Sequence, residues 1–336
     1  MTPLEKIRGL LYYDLRYKEF IVLSIYKIKP AVKDYIWGGV RLKTEYGVET
    51  DKEIAAEAWV LSCHPDGLSY IDEGKEKGQT LDGYLRSQGR ELLGKTASGY
   101  EGFPILVKLI DAKRDLSIQV HPGDDYALEH EKQIGKTEFW YVLDSDPDAY
   151  IYYGFNKEIS KEEFKRRIKD NTLVEVLNKI PVKKGDTFFI EPGTLHAIGK
   201  GTVLAEVQQN SNLTYRVYDF GRVGADGKPR TLHVDKALDV TRLLPPENRS
   251  REGDTVADCS YFKVRHLSVR EGDRALKITV DNNSFRNLLI TDGQGTIEAS
   301  GEKKGFTKGD SFFIPAGTGD ILISGAAEML LSSPAC

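Results

Sequence analysis

Four residues between positions 119 and 196 have the types and spacing to hold a metal ion. Gln119 and His121 lie two apart in "LSIQVHP", residues 116–122, which reads as a strand, so both side chains point to one face. Glu138 opens the next strand-like run, "EFWYVLD", and His196 follows the turn in "GDTFFIEPGTLHAIG". Two imidazoles, a carboxylate and an amide oxygen form a donor set suited to a divalent transition metal. Spacing alone leaves a second reading open, with Gln119 a polar strand residue, Glu138 a surface charge and His196 an ordinary turn residue. His64, His130, His233 and His266 read as surface or hydrogen-bonded residues.

Three cations, Lys108, Lys136 and Arg216, stand near these positions in the chain. A cation facing a barrel interior is costly unless an anion meets it. Salt bridges to Asp111 and Asp219 would account for Lys108 and Arg216 without any ligand. A phosphorylated substrate would account for all three cations at once. There is no GxxxxGK[ST] loop and no GxGxxG fingerprint, so a phosphate would have to bind on side chains.

The elements that must carry these residues are mostly strands. "EAWVLSC", "FPILVKLID", "AYIYYGF", "TVLAEVQQ" and "LTYRVYDF" are short, rich in Val, Ile, Tyr and Phe, and punctuated by Gly, Pro and Asp. Without regular alternation of strand and helix they favour a sandwich or barrel. Helices read as inserts. Ser160-x-x-Glu163 and Thr172-x-x-Glu175 fit capping boxes that open "KEEFKRRIKD" and "LVEVLNKI". Residues 80–93, 124–134 and 233–244 also read as helical, and "PPENRSREGDT" reads as a linker.

One phrase occurs twice. "VKKGDTFFIEPGTLHAIG", residues 182–199, returns as "FTKGDSFFIPAGTGDIL", residues 306–322, with Gly185 on Gly309 and Asp320 opposite His196. "FWYVLDSDPDAYIYYG" likewise matches "FRNLLITDGQGTIEAS", which sets Ser284 opposite Glu138. The second copy is shorter between these landmarks by about the length of the helices at 160–179. A duplicated β-barrel is expected, with helical insertions in the first copy only. No Gln-x-His pair occurs after residue 245, so chemistry is expected in the first copy alone.

The 336 residues give room for two cores. A net charge of −4 supplies no electrostatic reason for a nucleic-acid or anionic-membrane partner. Three scattered cysteines, Cys63, Cys259 and Cys336, fit a reducing cytoplasm. The run "FIVLSIYKI", residues 20–28, reads as a buried strand rather than a signal peptide. No stretch approaches the ~20 apolar residues of a membrane helix.

The phrases "KPAVKDYIWGG", "FPILVKLIDA", "LSIQVHP", "GKTEFWY", "GDTFFIEPGTLHAIGKG", "EVQQNSNLTYRVYDFGR" and "LHVDKALD" together resemble the type I mannose-6-phosphate isomerases of the cupin superfamily. The match runs over about 26–245, with a weaker tail, and the short gap from Glu138 to His196 resembles the compact bacterial form. The resemblance implies a mainly β fold of two cupin (jelly-roll) barrels with a helical insertion on the catalytic half. It implies one zinc per chain on Gln119, His121, Glu138 and His196. Arg216 matches the family's catalytic arginine, and Lys136 lies where a lysine lines the sugar pocket. Ser117 and Lys108 match pocket positions suited to phosphate, and Trp37 matches an aromatic at the wall.

The implied reaction interconverts mannose 6-phosphate and fructose 6-phosphate through an enediol. Lys136, Glu206 and a metal-bound water are all left as candidates for the proton-transfer base, with Glu206 also counted among the substrate contacts. Two other readings stay open, an Fe(II)-dependent cupin oxygenase and a non-catalytic sugar-phosphate-binding cupin. The expected division is 1–25 as an extension, 26–245 as the catalytic cupin and 246–336 as a degenerate cupin. The expected setting is the cytoplasm, as a monomer or weak homodimer with a hexose 6-phosphate as its small-molecule partner.

Overall fold

The structure, a computed structural model, describes residues 23–223, 227–247 and 253–335. Most of the proposed N-terminal extension and the middle of the proposed linker lie outside these residues. Strands are numbered in chain order. Strands β2 (Ala31–Lys33), β3 (Glu57–Leu61), β5 (Ile105–Ala112), β7 (Glu138–Ser145), β10 (Thr187–Ile190) and β12 (Thr202–Gln209) form an antiparallel sheet in the order β10-β7-β12-β5-β3-β2. Strands β6 (Ile118–Val120), β8 (Tyr150–Phe155), β9 (Leu177–Pro181), β11 (His196–Ile198) and β13 (Tyr215–Tyr218) form a second sheet, β13-β6-β11-β8-β9. The two face each other as a jelly roll. Ile151 and Ile198 from the smaller sheet meet Ile110, Trp140 and Leu204 from the larger in one apolar core.

The C-terminal half repeats this plan in one sheet. It contains β14 (Thr255–Asp258), β15 (Phe262–Val269), β16 (Leu276–Val280), β17 (Arg286–Ala299), β18 (Glu302–Thr307), β19 (Ser311–Ile314) and β20 (Gly319–Pro334). The long β17 takes the place of β7 and β8 together, and the long β20 that of β11 and β12. Residues 20–22 of the run "FIVLSIYKI" lie outside the described residues, and among the described ones a strand begins at Tyr26. This β1 (Tyr26–Lys29) pairs with β19 and with β4 (Tyr70–Ile71), so two strands from the 26–245 segment extend the C-terminal sheet.

The alternation of each strand sorts its side chains between two cores. Outward residues of the six-stranded sheet, among them Val107, Leu109, Phe139 and Val207, pack against Phe262, Val264, Leu289 and Phe313 of the C-terminal half. The inner face of that half closes over its own core of Ile278, Val280, Leu288, Ile321, Ile323 and Met329. Burying an apolar side chain of this size contributes about 1.5–3 kcal/mol. The two barrels therefore stabilise each other through a shared layer.

Local signals behaved unevenly. Ser160 caps the helix Lys161–Lys169, its hydroxyl accepting from Glu163 N at 3.1 Å. Thr172 caps nothing, and the expected helix over "LVEVLNKI" is a single 3₁₀ turn, Leu173–Val176, running into β9. Sheet pairing of β9 with β8 wins there over the local helix signal. The helix expected over 80–93 breaks at Gly89 (φ 103°) into Leu81–Gln88 and a 3₁₀ turn, Arg90–Leu93. Those expected over 124–134 and 233–244 are shorter, Asp124–Glu131 and Val234–Val240.

The matching of the two copies also needs correction. Ile190 pairs with Glu138, and its counterpart Ile314 pairs with Arg286, so Arg286 and not Ser284 stands where Glu138 stands. Asp320 is likewise not the counterpart of His196. The second turn carries an extra residue, Gly319 at φ 82°, and a one-residue slip moves a strand's side chains to the other face. Ile198 pairs with Ile151 in the first copy and Ile323 with Ile297 in the second, all four inward, which sets Ile321 opposite His196. Asp320 instead faces outward, in an ion pair with Lys277 at 2.6 Å.

Candidate metal centre and substrate cleft

His121, Glu138 and His196 come together at the floor of the first barrel, each with one ligand-type atom within 4.8 Å of the others. Their exposures are 1%, 0% and 0%, so no water competes for them from bulk solvent. Strand registry explains the convergence. His196 on β11 pairs with Gln119 on β6, and Gln119 pairs in turn with Arg216 on β13. Directly paired residues share a face, so Arg216, Gln119 and His196 form one row across the smaller sheet. Ser117 and His121 flank Gln119 at two-residue steps on that same side.

The histidine tautomers are set from behind. His121 Nδ1 donates to Leu213 O at 2.8 Å and His196 Nδ1 to Thr194 O at 2.9 Å, leaving both Nε2 atoms as lone-pair donors. Those atoms lie 3.0 and 3.7 Å from the two Glu138 oxygens. Ligand atoms around a tetrahedral zinc with bonds near 2.0 Å are about 3.3 Å apart. His196 Nε2 and Glu138 Oε2 are buried without a hydrogen bond, a state that a shared cation relieves. The donor set therefore fits a divalent metal.

Electrostatics keep the donors in their metal-binding forms. Burial, followed by the neighbouring Lys136, pushes His121 down to about 3. Burial also lowers His196. For Glu138 burial works upward, but Lys136, His121 and His196 outweigh it and hold the carboxyl well below its ordinary range. Lys136 Nζ contacts Glu138 Oε1 directly and lies 3.4 Å from His121 Nε2.

Above this floor opens a cleft of about 270 Å³, lined by Gln119, Lys136, Ser117, Lys108, Trp37, Glu206 and Arg216 among others. The size suits a small polar molecule. All ten residues singled out from the sequence thus lie in the cleft wall or directly beneath it.

The salt-bridge partners expected for two of the cations are not the ones present. Asp111 lies three residues from Lys108 and so on the other face of β5, where it accepts from Arg41 N at 2.8 Å. Lys108 instead meets Glu206 at 3.0 Å and Glu57 at 3.8 Å. Burial works to lower its ammonium pKa, but these two carboxylates outweigh it and raise it above the ordinary lysine value. Glu206 is fixed in turn by Trp140 Nε1, which donates to it at 2.9 Å.

Asp219 is taken by Arg222 and Arg230. Arg216 has no carboxylate within ion-pair distance among the described residues. Its Nε donates to Ser117 Oγ at 3.3 Å and its Nη1 to Thr231 O at 3.0 Å. Burial and the nearby Arg230 depress its pKa, the mark of a cation without a counter-ion. It remains charged.

Sequence reasoning missed Arg230, Glu57, Tyr35, Asn212 and Thr214, which also line the cleft. Glu57 was visible only as the first residue of "EAWVLSC", and nothing in its surroundings marks it as inward. Arg230 sits in a loop whose path no local pattern reveals.

Comparison with known proteins agrees with this geometry. Residues 25–160 match the family model for the phosphomannose isomerase type I catalytic domain, and residues 252–334 match that for the mannose-6-phosphate isomerase cupin domain. A mannose-6-phosphate isomerase from Streptococcus mutans is 39% identical over 83% of this chain and 89% of its own. The chain belongs to the type I phosphomannose isomerases. Mannose-6-phosphate isomerase ManA of Bacillus subtilis is 37% identical over 90% of this isomerase and 97% of its own length. A crystal structure of the mannose 6-phosphate isomerase from Bacillus subtilis superposes with a TM-score of 0.82, at 36% identity, covering 92% of this chain and 99% of that one. Family membership favours the isomerase over the oxygenase and the non-catalytic cupin.

Proposed function

We propose that the cleft interconverts mannose 6-phosphate and fructose 6-phosphate over one zinc ion per chain, held by Gln119, His121, Glu138 and His196. The observation that carries this reading is the row Arg216–Gln119–His196, which lays an unneutralised guanidinium beside a buried, unsatisfied His/Glu/His cluster. A zinc ion bound there supplies Lewis-acid polarisation of the O1/O2 end of the open-chain sugar.

The chain's own residues do the rest. A proton leaves C2 of the aldose and arrives at C1, and negative charge develops on the enediol oxygens in between. Arg216 meets that charge with a planar fork already held by Ser117 and Thr231. Lys136, at the boundary of cluster and cleft with its ammonium on Glu138, is a second cation facing that developing charge. Glu206, with Trp140 and Lys108 on its two oxygens, orients Lys108. Ser117 and Lys108 hold the phosphoryl end, and Trp37 and Tyr35, with rings 5.6 Å apart, form the apolar wall.

Catalysis on this reading belongs to 26–245, and 246–336 is a degenerate cupin that covers it. The enzyme is taken to act in the cytoplasm, as a monomer or weak homodimer; among the described residues no helix is long and apolar enough to cross a membrane. A coupled assay on mannose 6-phosphate, run before and after chelation with metal analysis of the same sample, tests the proposal. Activity that tracks zinc content supports it, and full turnover in metal-free protein sinks it.

A further inference from the structure

The C-terminal barrel has a mouth of its own at the end that corresponds to the catalytic cleft. It is a cavity of about 440 Å³ lined by Lys263, Arg265, Lys277 and Arg286, with Thr255, Thr279, Ser333, Ile278 and Leu331. Four of the nine lining residues are cations and none is a carboxylate, so the mouth is built for negative charge.

Strand registry identifies each residue by its counterpart. Arg286 stands where Glu138 stands, since Ile314 and Ile190 pair with them respectively. His196 pairs with Gln119, and Ile321 pairs through β20 with Ile278, so Ile278 takes the place of Gln119 and Val280, two residues on, that of His121. The metal ligands have thus become Ile278, Val280, Ile321 and Arg286, a set that binds no metal.

Lys108 has a counterpart too. It pairs with Glu206 on β12, and Arg265 pairs with Leu331 on β20. In the catalytic barrel the cation is neutralised from inside by a buried glutamate. In the second barrel that glutamate is a leucine, and Arg265 turns to Asp254 at the exposed rim, its Nε 3.1 Å from the carboxylate.

We propose that this mouth is a metal-independent site for a phosphorylated small molecule, bound through its phosphoryl group. Arg265 and Arg286 bring guanidinium groups to the barrel wall. The first is bound by Asp254 at the rim, and the second donates through Nη1 to Ser284 O at 3.0 Å and Phe285 O at 3.1 Å. Lys263 and Lys277 bring point charges, and the hydroxyls of Thr255 and Ser333 add neutral donors. Lys263 is paired with Asp258 at 2.9 Å and Lys277 with Asp320 at 2.6 Å, all four side chains being substantially exposed. Exposed pairs of this kind contribute little, so a phosphoryl dianion displaces the carboxylates readily. The site is separate from the catalytic cleft and stands whether or not the isomerase assignment holds.

Isothermal titration of the zinc-loaded protein at low salt tests this, with inorganic phosphate and fructose 6-phosphate as separate probes. The wild type is expected to show a second binding event per chain that persists after chelation and weakens with added salt. Arg265→Gln/Arg286→Gln is expected to weaken that event at least about tenfold, the loss of charge-assisted hydrogen bonds, with kcat unchanged. Should that double variant fail to fold, Lys263→Gln and Lys277→Gln, both at exposed positions, must each weaken the event several-fold. Saturation by inorganic phosphate makes the phosphoryl group sufficient; binding of fructose 6-phosphate alone assigns the site to organic phosphates. One binding event per chain for both probes, or a second event indifferent to these variants, overturns the proposal.

Discussion

Lys108 Nζ lies 3.0 Å from Glu206 Oε1, both groups buried on the inner face of the six-stranded sheet. The pair lines the cleft, with Glu57 as a second carboxylate beside Lys108 and Trp140 steering Glu206. Removing one partner of a buried pair strands the other charge, which typically costs about 3–5 kcal/mol. Lys108→Met is therefore expected to lower unfolding stability by about 3 kcal/mol and to raise KM as well. Urea denaturation measures the first effect. A variant with wild-type stability would mean that Glu206 is satisfied without Lys108.

Arg216 is expected to behave differently, because no carboxylate depends on it. Arg216→Lys replaces the fork by a point charge and should lower kcat by roughly 100-fold, with little change in melting temperature. Steady-state kinetics separate the outcomes. A rise in KM at unchanged kcat would make Arg216 a ground-state phosphate anchor.

The metal centre predicts a graded series. Purified protein should contain about one zinc per chain, lost on chelation together with activity. His196→Ala should abolish binding, since its Nε2 has no other partner. Gln119→Ala should weaken it less, because a neutral amide oxygen is the poorest donor of the set. Metal content after dialysis against buffers of rising chelator strength gives the order. Equal retention in all three proteins would remove these residues from the site.

The sequence made the site more legible than the scaffold, for physical reasons. Gln119, His121, Glu138 and His196 stand on inward positions of strands whose alternation is plain in the chain, and a one-residue error would have turned them outward. Arg230 and Glu57 reach the cleft through a loop and a neighbouring strand, and their placement depends on tertiary packing. The Thr172 box failed because β9 must pair with β8, a long-range demand that outweighs one capping hydrogen bond. The repeated phrase misled most. Its Gly-Asp strand and its Pro-Gly or Ala-Gly turn align by eye, but Gly319 adds one residue to the turn, and letters that align no longer share a face.

That slip gives the last prediction. If Asp320 were the counterpart of His196, its side chain would point into the second barrel, and Asp320→Ala would alter that interior. The structure turns it to solvent, against Lys277 and Thr279, and puts Ile321 inside at 0% exposure. Asp320→Ala is therefore expected to leave metal content, kcat and melting temperature at wild-type values. Ile321→Asp, one residue along, buries a carboxylate among Ile278, Ile323 and Met329 and should cost about 4 kcal/mol or more. The catalytic barrel leans on the second through Phe139, Phe262 and Phe313, so loss of stability there should bring early loss of activity on heating. Thermal melts and residual-activity curves of the two variants decide the matter. Comparable stability in both proteins would return Asp320 to the inner face and restore the alignment suggested by the letters.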